Sequence, residues 1–424
     1  MKIEAFYPIF LASDQVVIDS RKVEENSLFF AFTGENFNGA AYAAEAIKKG
    51  AKAVIVEDEN FADASQNIFF VNSTLDFLQQ LAIYHRSQVK IPIIGLTGSN
   101  GKTTTKEIIH AVLQKKFDTQ YTQGNLNNHI GVPLTILSIR NQHQMAVVEM
   151  GANHQREIAM LCQISQPDFG YITNFGKAHL EGFGGLEGVI KGKSELYDYL
   201  KENKKTILVN QSDPIQLEKT KDYLATITFG LPPSDYYFEV FSEENFVGIH
   251  YEGQKIQSNL TGVYNFHNLS AAVAFGLHFG VEFNAINSAI ESYHPTNMRS
   301  QVIEKNGKTL VLDTYNANPS SMAEALKNFK NFEGSKTVII GDMLELGEES
   351  DAEHAQILQL AQTLHFDQIF TVGPNFGKIN NDFQSFDTSE KLKVYLQSHP
   401  LNTKNILLKA SRGIALEKVL EDIS

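Results

Sequence analysis

The chain has a single cysteine, Cys162, in 424 residues. That excludes a disulfide framework within the chain and any zinc centre built from a cysteine cluster, and it fits a reducing compartment. Cys162 itself reads as a small buried core residue. No apolar run is long enough to cross a bilayer, and MKIEAFYPIF at the amino terminus lacks a signal-peptide pattern, so a cytoplasmic location without a membrane span is expected. Positive charge is short as well: 36 Lys and Arg stand against 49 Asp and Glu, a formal net charge of −13. That balance argues against nucleic-acid or anionic-membrane binding, so any anionic ligand must be held by a local pocket. Low-complexity runs and repeats of solenoid period are missing too. What is there is 42% hydrophobic content in a chain too long for one typical core, and two or three domains are expected.

The chain is organised around Pro92 to Ala111. Ile91, Ile93, Ile94 and Leu96 read as a buried parallel strand that breaks into Gly, Ser and Asn before a helix begins at Lys102. In a loop of this composition (Gly98, Ser99, Asn100, Gly101) backbone N–H groups point at a polyphosphate. The helix start adds a partial positive charge and Lys102 a full one, while Thr103 offers a hydroxyl to magnesium. Five residues separate Gly95 from Gly101 where the usual P-loop has four, and Gly98 supplies a middle glycine, so this is a variant of that motif. An ordinary Gly-rich turn before a helix is the bland alternative, and Gly-Lys-Thr-Thr after a buried strand fits it poorly.

Three α/β units are expected. In residues 1–88, SLFFAF reads as a strand, TGENFNG as a polar turn, AAYAAEAIKKG as a helix closed by Gly50, and AKAVIVE as another strand. Asp19, Ser20 and Arg21 lie on a loop ahead of them, where a charged trio reads as solvated surface. Residues 89–296 carry the phosphate loop and alternate helices with strands, which predicts a largely parallel sheet with its ligand site at the strands' carboxyl ends. Pro295, Thr296 and Asn297 make a hinge. Residues 297–424 give about three βα repeats, with a strand ending at Asp313, a polar loop closed by Pro319 and a helix from near Ser320. Two ligand edges facing each other across a cleft suit two substrates being joined.

Further stretches can deliver side chains to the central edge. Thr122 to Leu134 is a loop full of carboxamides, Asn125 and Asn128 among them, although Asn and Gly also simply build turns. Met145 to Gln155 is an apolar strand ending in Glu149, where a nucleotide-binding sheet holds magnesium or its water. Tyr171 to Tyr197 brings His179 and then Lys191 and Lys193 on a helix; alone, such a His is more often a surface or satisfied core residue, and such lysines are solvated. Asn268 stands near the beginning of a small-residue helix, as a cap or facing a ligand.

Taken together, TGSNGKTTTKE, GNLNNHIGVPLT, VVEMGANH, ITNFGKAHLEGFGGLEGVIKGKSELY, DTYNANPSSM, GDMLELG and KASRG resemble the Mur ligases, and the resemblance runs through all three units. The phosphate loop, the Glu and the His/Lys segments are shared with the wider superfamily, including folylpolyglutamate synthases. DTYNANPSSM with GDMLELG resembles the member that adds D-alanyl-D-alanine; no Asp-Asn-Pro-Arg of the diaminopimelate-adding type is found. The fold this implies is α/β in three domains. They are a UDP-substrate-binding domain over 1–88, a central ATP-binding P-loop domain with a parallel sheet over 89–296, and a Rossmann-like C-terminal domain for the incoming dipeptide over 297–424.

The activity implied is ATP-dependent joining of D-alanyl-D-alanine to a UDP-N-acetylmuramoyl tripeptide through an acyl phosphate, giving the pentapeptide precursor of peptidoglycan, in a monomeric enzyme. By the same resemblance, Gly98, Ser99, Asn100, Gly101, Lys102, Thr103 and Thr104 would hold the ATP phosphates. Thr103 and Glu149 would ligate one magnesium ion; His179 and a carbamylated lysine would serve a second. The family pattern of Lys, two residues, an aliphatic and an aromatic is met by Lys193-Ser-Glu-Leu-Tyr and not at Lys191. Asn268, here preceded by His267, resembles the adenine-contacting Asn, with Arg299 reaching the phosphates and Asp313 the ribose side. Asn125, Asn128, Tyr315, Asn316, Asn318, Ser411 and Arg412 would lie near the acceptor and peptide substrates. Asp19, Ser20, Arg21, Thr33, Gly34 and Asn38 resemble the uridine-diphosphate loops. Two other functions stay open: another amino-acid ligase of the superfamily, and a P-loop ATPase switch whose third domain binds a partner protein.

Overall fold

The strand expected before the phosphate loop is the middle of the central sheet. A computed structural model describes residues 1–35, 37–379 and 382–423. In it Ile93–Thr97 lies in a six-stranded sheet in the order Thr226–Phe229, Thr206–Asn210, Phe169–Ile172, Ile93–Thr97, Met145–Glu149, Thr119–Tyr121, every pair parallel. All five residues of Ile93–Thr97 are buried, as a parallel strand covered on both faces must be. Alternation sorts its side chains. Ile93 packs with helices Thr74–Gln88, Gly131–Leu137, Glu157–Ser165 and Leu186–Glu202 on one face, while Ile94 and Leu96 pack with Lys102–Leu113 and Asn265–His278 on the other. The chain leaves Ile93–Thr97 for neighbours on both sides, so a crevice opens beyond its carboxyl end, and the phosphate loop lies there.

Two more sheets flank this one. Gln15–Val17, Ser27–Ala31, Ala53–Val56 and Ile68–Phe70 form a four-stranded parallel sheet. The third sheet runs Gln301–Lys305, Lys308–Asp313, Asn405–Lys409, Lys336–Gly341, Gln368–Val372, Gln384–Phe386, parallel except for the antiparallel edge strand Gln301–Lys305. One apolar cluster is continuous from Phe6 and Phe30 beside the first sheet, through Ile93 and Val148, to Met322 and Leu407 in the third unit. The linking segment is tied to the phosphate-loop helix: Tyr293 Oη and Asn297 Nδ2 donate to the Glu107 carboxylate at 2.7 and 3.1 Å.

Local geometry departs from the sequence reading in several places. Ser20–Lys22 is a single 3-10 turn whose first free N–H is accepted by the Asp19 carboxylate, rather than open loop. The polar turn after Ala31 contains a small hairpin pairing Thr33–Gly34 with Phe37–Asn38. Helices Ile3–Leu11 and Thr74–Gln88 and the antiparallel sheet Glu239–Glu243, Phe246–Tyr251, Gln254–Thr261 were not legible.

Candidate active site

Two glycines give the phosphate loop its path. Gly98 has φ +141° and Gly101 φ +77°; a Cβ on Gly98 would lie 2.0 Å from Thr173 Oγ1, and one on Gly101 2.7 Å from Asn268 Oδ1. The loop is braced by the next strand's end: Ser99 N donates to Asn174 O and Asn100 N to Asn174 Oδ1, both at 3.0 Å, while Thr173 Oγ1 donates to Asn100 O at 2.6 Å. Helix Lys102–Leu113 begins at Gly101 without a side-chain cap, so its first N–H groups and its dipole face the crevice, an arrangement made for an anion. Lys102 Nζ folds over the loop and donates to Gly98 O at 2.8 Å. Burial lowers its pKa to about 8, against the pull of Glu149.

Glu149 ends the neighbouring strand with its side chain 1% exposed. Its Oε1 accepts from Asn127 Nδ2 at 2.7 Å and Thr103 Oγ1 at 3.3 Å, and its Oε2 is buried without a hydrogen-bond partner among the described residues, with the Lys106 amine 3.7 Å away. An orphaned carboxylate oxygen beside a threonine hydroxyl, next to a phosphate loop, is a donor set that fits magnesium. Lys193 is fully buried on helix Leu186–Glu202; its Nζ donates to Ala152 O at 2.9 Å and sits 5.0 Å over the Phe183 ring. Burial first, and Lys102 second, hold that amine well below the usual lysine value. Lys191 is exposed.

The third unit closes the other side. Arg299 stacks on the Tyr315 ring at 3.7 Å, with Arg412 at 5.1 Å from the same ring. Asp313 is paired with buried Lys409 at 2.5 Å. Asn318 caps helix Pro319–Lys330 in a reciprocal capping box with Ser321, and its Nδ2 donates to Asn100 Oδ1 in the phosphate loop at 2.7 Å. Three more contacts cross this seam: Lys177 N to Ser320 Oγ at 3.1 Å, the Lys177–Glu353 pair at 2.5 Å, and the His179 Nδ1 to Glu345 pair, in which both residues have left-handed backbone. The His179 hydrogen bond lowers the Glu345 carboxyl pKa.

Between the two units lies a cavity of about 630 Å³. Of the residues expected at the site, Ser99, Asn100, Gly101, Lys102, Thr104, Asn125, Asn128, Glu149, His179, Asn268, Arg299, Asp313, Tyr315, Asn316 and Asn318 line it. Thr103 and Lys193 stand behind it, Thr103 on Glu149 and Lys193 on Ala152. Ser411 and Arg412 also fall outside the lining, Ser411 bonded to Leu344 N and Ala317 O. Asp19, Ser20, Arg21, Thr33, Gly34 and Asn38 are not brought to this cavity; the Arg21 guanidinium bonded to Asp19 holds that carboxyl down at about 2. Asn268 is not a helix cap: it sits inside Asn265–His278, accepting from Thr105 Oγ1 at 3.0 Å and donating to Asn265 Oδ1 at 2.8 Å. Asn128 spends its Oδ1 on Ile130 N and Gly131 N. Sequence reasoning missed Asn127, Asn174, Lys409 and Glu345. The carboxamide-rich loop and the GDMLELG segment were the available signals for Asn127 and Glu345.

A phosphate loop at the switch point of one sheet, faced by the ligand edge of another, defines a P-loop nucleotide-binding protein that works on what is held between two units. Three family descriptions match: the Mur ligase middle domain over residues 96–276, the Mur ligase glutamate ligase domain over 298–413, and the Mur ligase family catalytic domain over 14–86. The UDP-N-acetylmuramoyl-tripeptide–D-alanyl-D-alanine ligase of Bacillus subtilis (strain 168) is 33% identical over 427 residues, covering 96% of this chain and 92% of its own length. The enzyme of the same name from Escherichia coli (strain K12) is also 33% identical, with 96% and 93% covered. Among solved structures, MurF from Acinetobacter baumannii matches with a TM-score of 0.86 at 33% identity over 96% of this chain and 93% of that one. MurF ligase from Thermotoga maritima in complex with ADP matches with a TM-score of 0.85 at 30% identity over 98% and 97%. The chain belongs to the Mur ligase family.

Proposed function

We infer that the chain uses ATP to join D-alanyl-D-alanine to the terminal carboxylate of a UDP-N-acetylmuramoyl tripeptide. The observation that carries this reading is the single cavity in which the phosphate loop, Glu149 and His179 meet Arg299, Asn316 and Asn318 of the third unit. Relatives that match over nearly their whole length bear that activity in their names, and the Thermotoga maritima relative was solved with ADP.

A carboxylate oxygen attacks the γ phosphorus and ADP leaves, which gives an acyl phosphate. The amine nitrogen of the dipeptide then attacks the acyl carbon; the C–N bond forms, the C–O bond to phosphate breaks, and the nitrogen loses its proton. Two anions must approach before the first step, so the work of the protein is to place positive charge where they meet. Lys102, the uncapped helix start and Arg299 supply it from this chain. Magnesium, when bound, screens the phosphate and carboxylate oxygens; Thr103 and Glu149 are the residues that would hold one ion, His179 and Lys193 those that would serve a second. Lys193 fits carbamylation because its amine is buried, held well below the usual lysine value by that burial and by Lys102, and without a carboxylate in ion-pair contact among the described residues. Carbon dioxide adds to such a nitrogen with loss of one proton, and an anion able to bind metal replaces a buried amine. Asp19, Ser20, Arg21, Thr33, Gly34 and Asn38 are assigned to the uridine diphosphate end of the substrate. The order of units, 1–88, 89–296 and 297–424, is assigned to nucleotide-sugar, ATP and dipeptide in turn.

The test is phosphate release from ATP and magnesium by the purified chain, with the UDP-muramoyl tripeptide and D-alanyl-D-alanine supplied separately and together, and the product weighed by mass spectrometry. Release that needs both, with a mass gain of one dipeptide less water, is the expected result. Turnover of ATP indifferent to either substrate would overturn the reading in favour of an ATPase switch.

A further inference from the structure

Lys106 lies on helix Lys102–Leu113, one turn beyond Lys102. Its side chain is fully buried, and its Nζ has no hydrogen-bond partner among the described residues. The amine stands 3.7 Å from Glu149 Oε2 and 3.8 Å from Glu107 Oε1, with the face of Tyr121 at 5.5 Å. Glu149 Oε2 is likewise buried and unbonded. A lysine built as a structural ion pair would close to hydrogen-bond distance and saturate its donors. Here a cation is suspended between two carboxylates at nearly equal range. Glu107 is already satisfied by Tyr293 and Asn297, so it does not depend on Lys106.

We propose that Lys106 is an exchangeable counter-ion of Glu149, with Glu107 as its second seat, so that this amine and the divalent cation compete for one carboxylate oxygen. The inference rests on the metal role assigned to Glu149 above. A dication at Glu149 repels an ammonium a few ångströms away, and in a buried site that repulsion is weakly screened. Glu107 gives the amine a place to go. It is also the residue that ties down the segment entering the third unit, so the exchange would run from the metal position to that linker.

The experiment is Mn²⁺ binding followed by electron paramagnetic resonance, on the full chain in saturating ADP, for the unmodified protein and for Lys106→Met, Glu107→Gln and Glu149→Gln. Lys106→Met removes the competitor and should tighten Mn²⁺ by about tenfold or more. Glu107→Gln leaves the amine to Glu149 alone and should weaken Mn²⁺ by about threefold or more. Shifts of opposite sign are the expected result; no shift in either, or shifts of the same sign, would overturn the proposal. Should Lys106→Met fail to fold, Glu107→Gln carries the test alone, and unchanged or tighter binding overturns it. Glu149→Gln separates the two layers: if it binds Mn²⁺ as tightly as the unmodified protein, the metal reading of Glu149 fails first.

Discussion

Lys193 and Lys191 are two residues apart on one helix and have opposite surroundings: the first is fully buried on the Phe183 ring, the second exposed. The buried one cannot be solvated and among the described residues donates to Ala152 O alone, so its ordinary charged state is the expensive one. Lys193→Ala should therefore lower kcat by about 10²–10³-fold, the scale of losing one preorganised electrostatic group, and added bicarbonate should not restore it. Lys191→Ala should leave the rate unchanged. A coupled phosphate-release assay on both variants checks this, and equal losses would remove the special role of Lys193. Spacing to Leu196 and Tyr197 made Lys193 legible in the sequence. Lys106 was not, because its neighbour Glu107 makes it look like a solvated helix pair; its burial comes from Tyr121 and Glu149, on strands far away in the chain.

The turn into helix Pro319–Lys330 shows how one element serves stability and the site together. Asn318 accepts from Ser321 N at 2.9 Å as the helix cap and donates from Nδ2 to Asn100 in the phosphate loop. Asn318→Ala loses both and should cost about 1 kcal/mol of stability. Asn318→Asp keeps the cap, since Asp caps as well as Asn, but sets a carboxylate against a loop meant for phosphates. It should hold the melting temperature and raise the KM for ATP by about tenfold or more, one decade being about 1.4 kcal/mol. Parallel melting curves and ATP titrations distinguish the two contributions. Elements of this kind, a buried strand ending in a polar loop before a helix, were the legible ones, because apolar run and turn residues agree at Ile93–Thr97, Met145–Glu149 and Lys308–Asp313, and at the last of these the Asn318 cap agrees as well. Glu239–Glu243 was hidden because it is an edge strand with almost no buried face, so its sequence carries no alternation. Ile3–Leu11 holds Pro8 within the helix, which breaks the pattern by which a helix is read.

Across the whole molecule the first unit is joined to the second at His85. This side chain is 4% exposed, on helix Thr74–Gln88. Its Nε2 lies 2.9 Å from Ile139 O and its Nδ1 2.9 Å from Tyr7 Oη, and the neutral ring with a proton on Nε2 satisfies both partners. Burial, with Arg140 adding to it, lowers its pKa from 6.5 to about 4. The folded value is below the unfolded one, so between about 4 and 6.5 the unfolded chain binds more protons than the folded one. Stability must then fall as pH drops through 6.5, with the loss complete below about 4, and the full effect is about 3 kcal/mol. His110, stacked on Tyr121 at 3.7 Å and also lowered to about 4, contributes with the same sign. Denaturant titrations at pH 7 and at pH 4.5 should show the first unfolding transition weakening on acidification, and His85→Gln should flatten that slope even though it unfolds earlier at pH 7. An unchanged slope in His85→Gln would mean that the acid sensitivity of this junction lies in other groups, and that the ring is not what couples the first unit to the central sheet.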